Sequence, residues 1–398
     1  MKRIKKIIFL AVNALLIICA AASFIGMSYL GGLLQSQKAA QRWAGQSEQR
    51  MAQISCFLPR DGGIEISDVL KFRQDLDKKL QEASLEAPEG GSLYTDAYCA
   101  AGEISVTGAR GGATVTAIGV GGDFFLFHPM ILRSGSFIYS DDPTTDKVVL
   151  DEELAWRLFG SSDLAGMTVT IGGEPYIVAG VVSRESDFAS RRAYTGGEGI
   201  YMSFEALAKN VDAKIRCYEI AMPDPVSGFA AGIVKEIFPL GDGVLVENSG
   251  RFKLSKVFSI IRNFGERSVH NTGVILPSWE NAARIVEDYM ALFLAVGILL
   301  SILPAICLLV LIIRLLKKLK RQSRKLRRTL ADRWDDFRTG PRRKKSEKSE
   351  GTPETKPAVR ETPVPAADSV ESEQEDMLLD IEAIVREVLE EEKTGKRP

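Results

Sequence analysis

Histidine is nearly missing from this chain of 398 residues: there are two, His128 in "FFLFHPM" and His270 in "SVHNTG". No HExxH, no CxxC and no histidine pair at ligand spacing occurs. The common routes to a zinc or other transition-metal centre are therefore closed, and core or loop positions are the better reading of both rings. A G-x-S-x-G nucleophile elbow is absent, as is a G-x-x-x-x-G-K-[ST] phosphate loop. The glycine-rich pieces "GARGG" and "GVGG" lack a lysine followed by serine or threonine and read as turns. Paired acids such as Asp141-Asp142 and Asp335-Asp336 are adjacent, which points their side chains apart. The expectation is a protein that is not an enzyme, has no ATP-hydrolysing site, and holds no metal or cofactor.

Cysteine is scarce too, at five residues. Cys19 and Cys307 sit in apolar runs, where small packing residues are common. Cys56, Cys99 and Cys217 lie between those runs, and an odd count fixes no disulfide framework. Free buried thiols are the better reading; if one bridge forms, Cys56–Cys99 is the first candidate, because both fall in short apolar stretches flanking one helix.

What the sequence does have is two long uncharged runs. The first, Ile7 to Leu30, follows "MKRIKK" directly and is long enough to cross a hydrocarbon core of about 30 Å. A cleaved signal peptide is the rival reading, but the run outlasts a usual h-region, and Ile18 before Cys19 argues against lipoprotein-type processing. The second run, Tyr289 to Ile313, is of similar length and contains Pro304, tolerated in membrane helices as a kink. "RLLKKLKRQSRKLRR" follows at once. Both basic flanks thus fall on the same side of the two spans, which the positive-inside rule assigns to the cytoplasm. Residues 1–6 and everything after 313 are expected inside, and residues 31–288 outside.

The near-zero net charge of −1 conceals an asymmetry. Residues 314–348 carry about +12 and residues 368–393 about −9. The basic segment, with Arg314, Lys317, Lys318, Lys320 and Arg321, emerges directly from a span, so anionic lipid headgroups rather than nucleic acid are its expected partner. Residues 314–339 read as a basic juxtamembrane helix. Residues 340–372 are poor in aromatics and rich in Pro, Lys, Glu and Thr, the composition of a disordered linker. In "EDMLLDIEAIVREVLEEE", within 373–393, Leu378, Ile381, Val385 and Val388 share a helical face. That face is either a docking element for a partner's groove or part of a marginal helix on a solvated tail.

Between the spans the pattern is mixed. After the first span, helical composition continues to about Ile54, predicting a stalk. "SDVLKFRQDLDKKLQEAS" spaces Val69, Leu70, Phe72, Leu76 and Leu80 as an amphipathic helix with Ser67 as a plausible cap. "EISVTGA" and "ATVTAIGV" read as strands joined at Arg110 to Gly112. In "DEELAWRLFG", acids open a short helix that Gly160 ends. "MTVTI" alternates, Gly172-Gly173 turns, and "YIVAGVV" is apolar throughout, as a more central strand is. Near the second span, Ser278 is placed to cap a helix, Trp279 to anchor it at the interface, and Glu287 and Asp288 to be its last outer charges. The fold class expected is an α+β ectodomain on two transmembrane helices, with a disordered cytoplasmic tail.

The order of pieces from Val115 to Val182 resembles the MacB-like periplasmic core domain of the FtsX/MacB/LolC superfamily of ABC transporter permeases. The resemblance rests on Gly119-Val120, Phe124-Phe125, Leu132 and Gly135 with Phe137, Val148 to Glu152, Leu158 to Gly160, and the "GMTVTIGGEPYIVAGVV" hairpin. It implies a mechanical role, in which an ATPase inside moves the membrane helices and hence the outer domain, and it brings no catalytic residues. That family's permease domain has further spans and a cytoplasmic coupling segment, whereas no third apolar run follows Ile313. An accessory or regulatory subunit without its own ATPase or complete pore is the leading expectation, with an ABC ATPase or permease subunit as partner and a homo-oligomer possible. The alternative is a membrane-anchored sensor or scaffold with an envelope ligand outside and a cytosolic partner on the C-terminal helix.

Overall fold

The computed structural model describes residues 2–47, 49–87, 91–194, 199–267 and 273–339. Within them lie strands β1 Met51–Phe57, β2 Thr95–Gly108, β3 Gly111–Gly122, β4 Ile131–Gly135, β5 Lys147–Asp151, β6 Thr168–Ile171, β7 Glu174–Ser183, β8 Gly199–Ser203, β9 Cys217–Pro223 and β10 Val244–Glu247. The helices are α1 Lys2–Gly31, α2 Ala39–Ala44, α3 Ile66–Glu82, α4 Phe124–Phe127, α5 Glu152–Phe159, α6 Phe188–Ala193, α7 Phe204–Asn210, α8 Phe229–Ile237, α9 Leu254–Arg262, α10 Phe264–Arg267 and α11 Ser278–Thr339. The chain divides into two units, Met1–Leu319 and Lys320–Pro398. In the second, the described part is the basic end of α11. Arg314, Lys317 and Lys318 in the first unit and Lys320 and Arg321 in the second are helical and exposed. The face of Leu378, Ile381, Val385 and Val388, and the linker 340–372, lie outside the described residues, as does His270.

One mixed sheet organises the chain between α1 and α11, in the order β10-β1-β9-β2-β3-β8-β5-β7-β4, with β6 pairing β2 and β7. Local chemistry explains its best-ordered part. Asp151 caps α5 by accepting the Glu153 backbone N–H at 2.9 Å, Leu154 and Leu158 are buried, and Gly160 ends the helix at φ +76°. Gly172 and Gly173 take φ +59° and +86° between β6 and β7, the left-handed pair that a two-residue hairpin turn needs. Val169 and Ile171 point inward while Thr168 and Thr170 face out, and β7 lies between β4 and β5.

The sheet is covered on both faces. On one, α3, α5, α7 and α8 bury Phe72, Leu158, Leu207 and Val234 against Ile54, Val178 and Ile220. On the other, α2, α4 and the segment leading into α11 pack on Cys99, Tyr201 and Cys217. A third cluster joins the ends of the long helices: Leu30 and Leu34 with Ala189 of α6, Val257 of α9, and Ala283, Val286 and Met290 of α11. Both α1 and α11 contain stretches long and apolar enough to cross a membrane. They pack by a reciprocal exchange in which Gly26 receives the Phe293 ring and Gly297 receives the Phe24 ring, and Ser23 Oγ donates to the Phe293 carbonyl at 2.8 Å.

Several local expectations are corrected. The stalk is not a continuous helix: α1 stops at Gly31, and the chain turns through Gly32 into a short 3₁₀ segment and α2, whose Ala39 and Ala40 are buried on the sheet. Gln53 in β1 holds this turn, accepting the Ala39 N–H at 2.9 Å and donating to the Ser36 carbonyl at 2.8 Å. Helix α3 begins at Ile66, before Ser67, with Asp68 accepting the Glu65 N–H at 3.0 Å. The Cys56–Cys99 bridge is absent and both thiols are free. Strand β9 lies between β1 and β2, and Cys56 and Cys99 belong to the clusters on opposite faces of the sheet. Cys99 instead stands opposite Cys217 on β9.

Candidate functional site

A buried polar cluster forms the junction between the sheet and the first turns of α11. Its centre is Arg251, in the turn after β10, buried although charged. Its guanidinium fork reaches both oxygens of Glu280, Nη1 to Oε2 at 2.8 Å and Nη2 to Oε1 at 3.1 Å, and Nε reaches Glu287 at 2.8 Å. Nη1 also donates to Gln37 Oε1 at 3.1 Å and to Asn248 Oδ1 at 3.3 Å. Arg284 adds a bond to Glu280 Oε1 at 3.1 Å. One side chain therefore holds the segment after α1, the turn after β10 and two turns of α11. Burial works against the charge of Arg251, but Glu280 and Glu287 outweigh it and hold its pKa above the ordinary arginine value.

A chain of buried hydrogen bonds leaves this cluster, crosses the sheet and returns to α11. Asn248 Nδ2 donates to Ser55 Oγ at 2.6 Å, and Ser55 Oγ donates to Glu219 Oε1 at 2.6 Å. The other Glu219 oxygen pairs with His128 Nε2 at 2.5 Å. The His128 ring lies 4.2 Å from that of Trp279 and 4.6 Å from that of Phe124. The path starts at Glu280 and ends at its neighbour Trp279. Trp279 is thus half-buried in the domain rather than an interfacial anchor, because an aromatic floor of His128 and Phe124 takes up its ring. His128 is a core residue with a carboxylate partner, as its surroundings in "FFLFHPM" suggest.

Beside this path opens a cavity of about 440 Å³. Its floor is the sheet at Cys99, Ile118 and Cys217, its wall the segment 275–279 that enters α11, and its rim carries Arg60 and Arg216. Among the described residues, no carboxylate lines it. Burial pushes the Cys217 thiol well above its ordinary pKa, with the neighbouring Cys99 adding to the effect, so the floor is chemically quiet.

Sequence reasoning missed the central residues of the junction. In "RFKLSKVFSIIRNF" Arg251 looks like one more cation on an amphipathic surface, and only three-dimensional placement shows it to be buried. The available signal was Glu280 and Glu287, seven residues apart and so on one face of a helix.

No curated protein matches the chain. Among solved structures, the periplasmic region of MacB from Actinobacillus actinomycetemcomitans is 17% identical, covering 55% of this chain and 94% of that one, with a TM-score of 0.37. The extracellular domain of the ABC-type transporter YknZ from Gram-positive bacteria is 12% identical, with coverages of 47% and 92% and a TM-score of 0.33. A domain of a putative permease from Porphyromonas gingivalis is 14% identical, with coverages of 50% and 89% and a TM-score of 0.29. The model of the MacB-like periplasmic core domain matches residues 10–232, from within α1 into α8. That stretch is more than half of the chain, and the protein belongs to the MacB-like periplasmic core domain family.

Proposed function

We propose that this protein is a two-span subunit of the cytoplasmic membrane, serving as an accessory or regulatory partner of an ABC-type complex. Its MacB-type domain lies outside, both termini lie in the cytoplasm, and it supplies no ATPase site, complete pore or catalytic residue. Arg314, Lys317, Lys318, Lys320 and Arg321 meet anionic headgroups at the inner face. The observation that carries the reading is the tie of Arg251 to Glu280 and Glu287, which fastens a family-type domain to an apolar helix. Movement imposed on α11 by a partner inside then reaches the sheet, and a load on the sheet reaches α11, because both are joined through buried, oriented bonds. Crosslinking in intact membranes followed by capture in mild detergent tests the reading: an ABC ATPase or permease should be recovered, and repeated recovery of the protein alone overturns it.

A second reading is favoured by the cavity against residues 275–279. In it the protein is a membrane-anchored sensor that binds an envelope ligand outside and a cytosolic partner through Leu378, Ile381, Val385 and Val388. Replacing Ile381 and Val385 with Asp should abolish that cytosolic interaction; unchanged binding removes it.

A further inference from the structure

We propose that the cavity between the sheet and residues 275–279 binds a small anionic amphiphile: one carboxylate, sulfonate or phosphate head and one apolar body. Its volume of about 440 Å³ falls in the range of small-molecule sites, roughly 300–1,000 Å³. The lining divides by chemistry. Leu58, Ile118, Leu276 and Trp279 offer an apolar bed, while the charged groups among the described residues are the two guanidiniums of Arg60 and Arg216. Arginine presents a planar fork of donors that matches an oxyanion and is weakly hydrated, so it suits a half-buried anion site. Arg216 carries the stronger sign of a missing partner. Its Nε is buried and finds no hydrogen-bond acceptor among the described residues, a state that is unfavourable unless something accepts the hydrogen bond. A neutral apolar ligand leaves Arg216 Nε unsatisfied, and a cation meets two like charges. An anion with an apolar body answers both features.

The placement gives binding a consequence. Trp279 forms a wall of the cavity and rests on His128, and Glu280, the next residue, holds Arg251. An occupant therefore lies against the segment that sets where α11 begins. The proposal deepens the sensor reading, but binding is measured on the protein alone. Its failure leaves the ABC-subunit reading intact, and failure to capture an ABC partner leaves the binding result intact.

The test uses the full chain in nanodiscs and two dyes of nearly the same shape, the anionic 1-anilinonaphthalene-8-sulfonate and the neutral N-phenyl-1-naphthylamine. Empty nanodiscs are subtracted. The expected result is saturable binding of the sulfonate at one per chain, with energy transfer from Trp279 that is lost in Trp279→Phe. Decanoate should displace it and decanol should not. Arg216→Gln should weaken the sulfonate at least about tenfold, the loss expected for one charge-assisted hydrogen bond, with the neutral dye unchanged. Arg60→Gln, at an exposed position that tolerates replacement, should act in the same direction. No saturable component above empty nanodiscs, equal displacement by decanol, or unchanged sulfonate affinity in both arginine variants overturns the proposal.

Discussion

Arg251 and Glu280 form a fork-to-fork pair with both partners buried, Arg251 from the turn after β10 and Glu280 from the first turn of α11. A bidentate pair fixes orientation as well as distance, so the sheet and the helix have one angle at which the pair closes. Glu287 and Gln37 complete the coordination of the same guanidinium and bring the segment after α1 into the same joint.

Breaking that pair from one side leaves charge stranded. Arg251→Ala exposes Glu280 and Glu287 to an apolar surrounding with no cation of equal reach, and the expected loss is about 3–5 kcal/mol. Arg251→Lys should recover only part of it, because an ammonium cannot span both oxygens of Glu280. Thermal unfolding of the full chain in detergent, followed by Trp fluorescence, measures both; equal stability of wild type and Arg251→Ala contradicts the assignment.

Glu219 is the hub on the sheet, accepting from Ser55 and pairing with His128. Glu219→Ala strands both partners, and about 2–4 kcal/mol should be lost. Glu219→Gln keeps the shape and one acceptor, and should cost less. Urea unfolding of the two variants ranks them, and the reverse order contradicts the network.

The buried thiols set an alkaline limit. Burial pushes Cys56 above its ordinary value of 9.0, with Glu219 adding to the effect, and burial pushes up Cys217 as well, with the neighbouring Cys99 as a further cause. Their folded pKa values exceed the unfolded ones. Their contribution to stability is therefore whole below about pH 9 and is lost as pH rises from there, where the unfolded chain gives up protons that the folded chain keeps. Melting temperatures should fall between pH 8 and about pH 10, and the fall should be shallower in Cys56→Ala/Cys217→Ala. Maleimide should label Cys56, which is fully buried and does not line the cavity, only after denaturation.

The two apolar helices depend on two glycines. A Cβ on Gly297 meets the Phe24 ring at 3.0 Å, and one on Gly26 meets the Phe293 ring at 3.4 Å. Gly297→Leu should force the pair apart at about 1–3 kcal/mol, while Gly232→Leu, whose Cβ has open space in α8, serves as the control. Equal melting temperatures of the two variants contradict the packing described.

Legibility in the sequence followed the range of the interactions. Helix α5 and the β6–β7 hairpin could be read because their caps, glycines and alternation act within a few residues. The Cys56–Cys99 pairing failed because β9, far away in the sequence, inserts between β1 and β2. Trp279 was misplaced because an indole near a span has the same local pattern whether it faces headgroups or His128. Arg251 was invisible as a joint for the same reason: burial of a charge is decided by Glu280, Glu287, Gln37 and Asn248, which come together only in the fold.

The central claim is that the sheet domain and α11 move as one body through Arg251. The direct measurement is the distance distribution between spin labels at Lys209 on α7 and Leu292 on α11, in nanodiscs and in a background with Cys19 and Cys307 replaced by Ala. Both positions are exposed. The account predicts one narrow distribution in the otherwise wild-type chain and a broadened or multiple one in Arg251→Met. A broad distribution before the substitution, or an unchanged narrow one after it, contradicts the claim.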